Sequence, residues 1–206
     1  MGEVSTIGVD IAKSVFQIHG VDADGTVVIR KRVGRAKVLE FFSGLPPCLV
    51  GMEACATAHQ WARELKKLGH DTRLMPPTYV KAYVKRGKND AADAAAICEA
   101  VTRPSMRFVP IKSVEQQSAL MLHRTRDLLI RQRTQLINAL RAHLAELGLV
   151  AVKGHEGLQQ LVIAVTESSD ERLPNNARFA CQSIVAQLHA AQTQICLLYT
   201  SPSPRD

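Results

Sequence analysis

The chain has 206 residues, of which 46% are apolar and 4% aromatic, and its net charge is +7. The apolar content excludes wholesale disorder, and the scarcity of aromatic residues argues against the base-stacking platforms of single-strand-binding proteins. The positive charge favours an anionic partner, of which nucleic acid is the common one, over the alternative of a basic protein without such a partner.

The first third of the chain alternates predicted strands with turns. The apolar residues of Thr6–Ile11 and Ser14–Val21 predict two strands. The sequence Asp-Ala-Asp-Gly at 22–25 predicts a hairpin turn, and a third strand follows at Thr26–Arg32. We therefore expect three antiparallel strands in a meander.

The next segments add helices to the sheet. A helix is predicted at Arg35–Ser43, and the apolar run Cys48–Met52 predicts a strand buried on both faces. An amphipathic helix at Thr57–Leu68, with Trp61, Leu65 and Leu68 inward, precedes a fifth strand at Asp71–Met75. Residues 1–110 are therefore predicted to form an α/β domain, a mixed sheet with flanking helices.

The segment 111–150 is predicted to be one long helix or a broken pair of helices. It contains no Gly or Pro from Ser113 to Leu147, and its leucines form a seam suited to a partner helix. The seam predicts a coiled coil and a homo-oligomer, a dimer or higher. Its other faces carry arginines, which either contact RNA or DNA or form a solvated face; the candidates for contact are Arg124, Arg131 and Arg133.

The remaining residues are predicted to form an incomplete helical segment at 151–195, with helices at Leu158–Val165 and Ala177–Leu188. At Cys196 polar turn residues and two prolines replace the helical pattern, so we expect the helix to end before it. We interpret residues 196–206 as a non-native tail on a reading frame cut near Ile195; the alternative is a genuine disordered end.

Four acidic residues indicate a metal site. Asp10 lies within an apolar run, Glu53 follows another, and Asp90 and Asp93 lie three apart where an alanine-rich helix should begin. A carboxylate on or beside a buried strand is costly unless it is compensated. A divalent metal compensates several together, and oxygen ligands suit Mg²⁺ or Mn²⁺, which support phosphoryl transfer on nucleic acids. The alternatives are a strand-end turn and helix N-terminal charges.

Basic residues lie close to these acids in the sequence. Lys13 follows Asp10 by three positions, and three more basic residues precede the pair of aspartates; they are Lys85, Arg86 and Lys88. Such residues either hold a phosphate next to the metal or neutralise the acidic cluster. We include all four among the candidate nucleic-acid contacts.

Cysteine usage and hydropathy bear on the compartment. The five cysteines are odd in number and widely spaced, without a C-x-x-C motif, which predicts reduced thiols and neither a disulfide framework nor a zinc site. No apolar stretch approaches the length of a membrane span, and the N terminus lacks the features of an export signal. We therefore expect a cytoplasmic protein with no membrane partner.

Three blocks of sequence carry a family resemblance; they are IGVDIAK at 7–13, GMEA at 51–54 and RGKNDAADA at 86–94. In this order and spacing they resemble the N-terminal DEDD domain of the IS110-family transposases, the IS1111-like subgroup included. The resemblance runs from about Thr6 to the end of the long helix. It implies a RuvC-like fold within the RNase H-like superfamily and a DNA transposase or recombinase of an insertion sequence. The four acids, which it implies are catalytic and bind Mg²⁺, are Asp10, Glu53, Asp90 and Asp93.

The resemblance also implies partners and a further domain. The family acts on DNA, uses a structured guide RNA and oligomerises through the long helices, which implies a nucleoid-associated protein. Its C-terminal domain carries a catalytic serine, and no such domain follows Leu188 here. We therefore expect a truncated, recombination-incompetent form, and Ser201 and Ser203 do not fit the nucleophile's role.

Three other functions are weighed against this one. A RuvC-like Holliday-junction resolvase or nuclease also uses four acids, but the block at 86–94 and the leucine seam speak against it. A sugar-kinase or actin-like ATPase needs a second, duplicated lobe and glycine-rich phosphate loops, and this chain has only 12 glycines and no such loop. A non-catalytic, coiled-coil nucleic-acid-binding fragment is the non-enzymatic alternative.

Overall fold

The structure is a computed structural model that describes residues 3–83, 90–167 and 172–200. The chain divides into two compact units, Met1–Ser113 and Val114–Asp206. Within the described residues, no helix combines the length and the apolar character that crossing a membrane requires.

The first unit is built on a five-stranded mixed sheet with the strand order β3-β2-β1-β4-β5. The strands are β1 (Thr6–Ile11), β2 (Val15–Val21), β3 (Val27–Gly34), β4 (Leu49–Glu53) and β5 (Asp71–Met75). The predicted antiparallel meander of β1, β2 and β3 is confirmed, and β1, β4 and β5 run parallel to one another. The predicted α/β class, an RNase H-like mixed sheet followed by a long helix, is confirmed.

Four helices accompany the sheet within the described part of this unit. They are α1 (Val38–Ser43), preceded by a 3-10 turn at Arg35–Lys37, α2 (Ala58–Lys67), α3 (Pro77–Val80), followed by a 3-10 turn at Lys81–Tyr83, and α4 (Asp90–Val101). The predicted helix at Arg35–Ser43 is therefore present, with a tighter first turn.

One face of the sheet forms the main core. Alternate residues of β1, Ile7 and Val9, are buried in it with Phe16 of β2, as the two-residue period of a strand requires. Trp61 of α2 meets the Phe16 ring edge to face, with 4.9 Å between the ring centroids. Leu68, predicted to point inward, follows the last residue of α2 and is exposed.

The opposite face of the sheet packs against α4. Gly8 of β1 and Gly51 of β4 are register partners, and both lie beneath this helix. A Cβ atom on Gly51 would lie 2.7 Å from the Cβ of Val101, so the absence of side chains lets the helix approach the strand backbones closely. The small residues of α4 complete this tight contact; the buried ones include Ala94, Ala96 and Ala100.

The two edges of the sheet differ. The β5 edge is partly covered, because Val109 forms an antiparallel bridge with Leu74 and donates its N–H to the Leu74 carbonyl at 2.7 Å. The β3 edge instead carries exposed charged residues at 30–32. Such charges oppose edge-to-edge pairing with another sheet.

The second unit contains α5 (Val114–Ala145), α6 (His155–Thr166) and α7 (Asn175–Thr200). Helices α5 and α7 run antiparallel, since Arg126 bonds to Tyr199 and Arg133 bonds to Gln192. Leucines of the predicted seam are buried in the core that these helices form with α6; the fully buried ones are Leu140 and Leu144. Part of the seam is therefore covered by a helix of the same chain.

The last described helix extends beyond the predicted limit. We predicted that the helical pattern ends before Cys196, and this is wrong because α7 continues to Thr200. Ile195 is buried and continues the apolar face of α7. Near the end of the helix, the Cζ atom of Arg126 lies 4.4 Å from the centre of the Tyr199 ring. Both contacts favour the extra turn. Residues 201–206 lie outside the described part.

Candidate metal centre and nucleic-acid surface

Asp10 and Glu53 lie next to each other at the ends of adjacent parallel strands. Val9 pairs with Met52 in the register of β1 and β4, so the two acids occupy the next position on each strand. Val9 and Met52 are buried in the core beneath α2. Because side chains alternate along a strand, Asp10 and Glu53 belong to the opposite face, on which α4 packs.

Asp93 reaches this pair from the first turn of α4. Burial raises the pKa of the Glu53 carboxyl, and the neighbouring charges of Asp10 and Asp93 raise it further, while Lys81 acts in the opposite direction. Carboxylates from three separate elements are therefore close enough to repel one another. This convergence is the electrostatic core of the candidate site.

Four other predicted residues are only partly described or not described. Asp90 is the first residue of α4, but its side chain lies outside the described part. The basic residues predicted just before it also lie outside; they are Lys85, Arg86 and Lys88. Their roles stay predictions.

The ligand atoms of this site are of the type that a hard divalent cation prefers, although the described side chains do not form a complete binding group. Asp10, Glu53 and Asp93 offer only carboxylate oxygens, the ligand type that Mg²⁺ and Mn²⁺ prefer. Among the described side chains, however, no three His, Cys, Asp or Glu residues form a group that could hold a metal ion. A cation would relieve the repulsion that raises the pKa of Glu53.

A cysteine borders the site and was not singled out in the sequence. Burial raises the pKa of the Cys55 thiol, and the charges of Glu53 and Asp10 add to the effect. Cys55 lies in the loop between β4 and α2, where Thr57 has a φ of 72°. A threonine rarely adopts this left-handed conformation, so the loop beside the acids is strained.

The predicted basic contacts that the structure describes lie on both units. Lys13 is exposed in the turn between β1 and β2. On α5, Arg124 and Arg131 are exposed, whereas Arg133 is half-buried and donates from Nη1 to Gln192 Oε1 at 3.1 Å. Arg133 therefore holds α7 against α5, and its contact with nucleic acid stays a prediction.

A basic segment at 30–37 escaped the sequence reasoning. Five of its eight residues are Lys or Arg, and none is acidic. It spans the end of the predicted strand at Thr26–Arg32 and the start of the predicted helix at Arg35–Ser43, and it carries no recognised motif. The charge density of this segment was the signal that could have identified it.

Comparison with known proteins identifies the family. The family model for IS110 DEDD transposases, whose description is "Transposase", matches residues 7–148. The chain belongs to the IS110 family of DEDD transposases. The matched residues include all four acids and the whole of the long helix α5.

Curated relatives of this IS110-family chain carry transposase names. It is 48% identical over 196 residues to "Probable family 20 transposase" of Pseudomonas aeruginosa, covering 95% of this chain and 58% of the relative. It is 41% identical over 167 residues to "Transposase for insertion sequence element IS1328" of Yersinia enterocolitica, covering 81% and 50%. It is 46% identical over 154 residues to "Transposase for insertion sequence element IS1111A" of Coxiella burnetii, covering 75% and 42%. The chain spans about half the length of the curated relatives that it matches.

Proposed function

We propose that the first unit carries the metal-dependent centre of an insertion-sequence transposase that acts on DNA. Asp10, Glu53, Asp90 and Asp93 would bind Mg²⁺ or Mn²⁺, and the scissile phosphate would bind at the same face of the sheet. What supports this most directly is the strand register, which puts Asp10 and Glu53 at neighbouring positions one step beyond the Val9–Met52 pair. Burial raises the pKa of Glu53, and the nearby charges of Asp10 and Asp93 raise it further, in agreement with this arrangement. A bound divalent cation supplies polarisation of the phosphate and stabilises charge on the attacking and leaving oxygens.

The protein side chains have separate roles in this proposal. The strands present Asp10 and Glu53 at neighbouring positions of the sheet, and α4 brings Asp93 to them. Lys81, whose charge acts on Glu53, offsets part of the negative potential before a cation binds.

Calorimetric titration of Mn²⁺ and Mg²⁺ tests the metal site. We expect Asp10→Asn and Asp93→Asn to abolish binding or weaken it at least about tenfold. Asp24→Asn is the matched control, since it removes one carboxylate charge from the exposed hairpin between β2 and β3. Identical isotherms for the wild type and Asp10→Asn would refute the site.

In our proposal, DNA strand exchange requires a nucleophile in addition to the metal-dependent centre of the first unit. The family resemblance includes a serine nucleophile in a separate domain, and metal-bound carboxylates alone cannot form a protein–DNA bond. We expect the purified 206-residue chain to bind DNA without exchanging strands. Recombinant products formed by this chain alone, detected on a denaturing gel, would overturn that proposal.

A guide RNA and self-association are further parts of the proposal. Arg124 and Arg131 are exposed seven residues apart on α5, a spacing that puts both on one side of the helix. Met121, Leu122 and Leu128 are exposed apolar residues of the same helix. Light scattering after size-exclusion chromatography, with and without nuclease treatment, tests both parts. A monomer that carries no RNA would contradict both RNA binding and self-association.

We also propose a cytoplasmic, nucleoid-associated location, which follows from binding to DNA.

A further inference from the structure

A row of four polar side chains crosses the sheet on the face that carries the acids. Asp10 of β1 pairs with Gln17 of β2, and Gln17 pairs with Arg32 of β3. Glu53 occupies the equivalent position on the other side of Asp10, one step beyond the Val9–Met52 pair. Directly paired residues on neighbouring strands share a face, so Arg32 belongs to the same face as the acids.

A parallel row, two residues along the strands, carries a second arginine to this face. Gly8 pairs with His19, and His19 pairs with Arg30. Burial lowers the pKa of His19, and the charge of Arg30 lowers it further, in agreement with the pairing of these two residues across the strands. Arg30 and Arg32 therefore form a pair of cations on the open edge strand, beside the acidic centre.

No carboxylate of the described residues neutralises either arginine. Both are exposed, and neither forms an ion pair with a carboxylate within the described residues. The residue between them differs, because Lys31 belongs to the opposite face and its Nζ lies 5.3 Å from the centre of the Phe41 ring. Lys31 therefore packs against one face of the sheet, whereas Arg30 and Arg32 belong to the other face.

The distance from Arg32 to the acids suits a neighbouring phosphate. Two strand spacings separate Arg32 from Asp10, which amounts to about 10 Å at roughly 4.8 Å per strand. One strand of a B-form duplex rises about 3.4 Å per nucleotide along the helix axis, and its phosphates are farther apart than this along the winding backbone, so the span covers roughly one to three nucleotides. Gln17 lies between them, and its amide can bond to an intervening phosphate or sugar oxygen.

We propose that Arg32 and Arg30 bind the phosphodiester backbone of the DNA strand that enters the acidic centre. The inference rests on the proposed function and extends it, because these residues would position the strand while the carboxylates act on the scissile phosphate. The planar guanidinium of arginine donates two parallel hydrogen bonds to a phosphate. Arg30, Arg32 and Gln17 together form a row of contacts for the DNA backbone, which we call the track; it leads from the β3 edge of the sheet to Asp10.

Anisotropy of a labelled DNA duplex with a single-stranded extension, measured over a range of NaCl concentrations without divalent metal, tests the track. We expect Arg32→Gln to weaken binding about three- to tenfold at low salt. It should also reduce the slope of log K against log[NaCl] by about 0.7–0.9, the value for one lost phosphate contact. Arg30→Gln should behave in the same way, and Arg32→Lys should retain the slope.

Lys31→Gln is the matched control, since it removes the same charge from the adjacent position on the opposite face. Its slope should equal that of the wild type. An equal loss in Lys31→Gln would mean diffuse attraction and would overturn the assignment to one face. The thermal unfolding midpoint of each variant checks folding, and Arg30→Gln still tests the track if Arg32→Gln is unfolded.

The remaining outcomes distinguish a failure of the track from a failure of the proposed function. A wild-type slope for Arg32→Gln and Arg30→Gln, in a protein that binds Mn²⁺ and DNA, would overturn the track and leave the proposed function standing. A wild-type protein without affinity for DNA would overturn both. If the variants lose affinity only for an RNA of the same sequence, the contacted strand is not the DNA and the proposal is wrong.

Discussion

The carbonyl oxygen of Ala94 lies 2.2 Å from the position that a Cβ atom on Gly8 would occupy. Helix α4 therefore rests directly on the backbone of β1, where only glycine leaves enough room. Asp93 is the neighbour of Ala94, and Asp10 lies two residues beyond Gly8 on the same strand. The glycine thereby determines how close the helix brings its carboxylate to those of the sheet.

Gly8→Ala should destabilise the protein and weaken the candidate metal site together. The added methyl group would also lie 2.3 Å from the Cys98 nitrogen, so backbone atoms must move, at a cost of about 1–3 kcal/mol or more. Urea unfolding measures the stability, and Mn²⁺ titration measures the site. Gly34→Ala is the control, because a Cβ atom at Gly34 has no neighbour within 4 Å. Equal stability of the two variants would contradict the close contact.

Thr57→Gly should stabilise the first unit. The left-handed φ of 72° at Thr57 strains a side chain with a branched Cβ, and glycine adopts this conformation freely. We expect a gain of about 1 kcal/mol in the free energy of unfolding, after the larger entropy of glycine in the unfolded chain is subtracted. Thr57→Ala keeps the Cβ and should gain less. A loss of stability in Thr57→Gly would show that the threonine side chain supports the loop.

The stability of the protein should fall as the pH drops below about 6.5, partly through His19. Burial and then Arg30 lower the pKa of this histidine, so the unfolded state binds a proton at a higher pH than the folded state does. Its contribution is fully present above the unfolded pKa and is lost as the pH falls towards the folded pKa. The urea midpoint between about pH 7.5 and about pH 5.5 should fall less in His19→Gln than in the wild type. An equal fall in both proteins would contradict this.

His70→Leu should cost about 1–3 kcal/mol of stability, because it leaves buried backbone groups without partners. The buried His70 ring accepts the Cys48 N–H at Nδ1, 3.3 Å away, and donates from Nε2 to the Phe42 carbonyl at 3.1 Å. These bonds join the end of α1 to the residues just before β4 and β5. His123→Leu, at an exposed position of α5, is the control for the change in residue type. A midpoint of chemical unfolding in His70→Leu as high as in the control would refute this role.

Local chemistry was sufficient to predict most elements of the first unit. The bounds of the first and fifth strands were predicted as they occur. The first is a short, largely apolar run, and the fifth lies between Gly69 and the pair Pro76-Pro77, which favour turns. Asp10 and Glu53 stood out as candidate ligands because a carboxylate beside a buried strand is costly, and their role in binding metal stays a prediction. Patterns of this kind depend on near neighbours along the chain, which a sequence displays directly.

Other features depend on partners that are distant in the sequence. The extension of α7 beyond Cys196 depends on Arg126, far away in the chain, which packs on Tyr199. The same holds for the leucine seam of α5, which α7 partly covers. A leucine seam predicts that an apolar helix packs against it, but it does not show which helix this is.

The sequence by itself predicted the strands and the four candidate acids, and the order of its three blocks determined the family. Only the tertiary structure decided that Arg32 lies in one row with Asp10 and that Gly8 admits α4 to the acidic face. The physical reason is that strand register and helix–sheet distance are set by packing across the whole sheet. A shift of one residue in that register would move Arg32 to the other face without changing any local pattern.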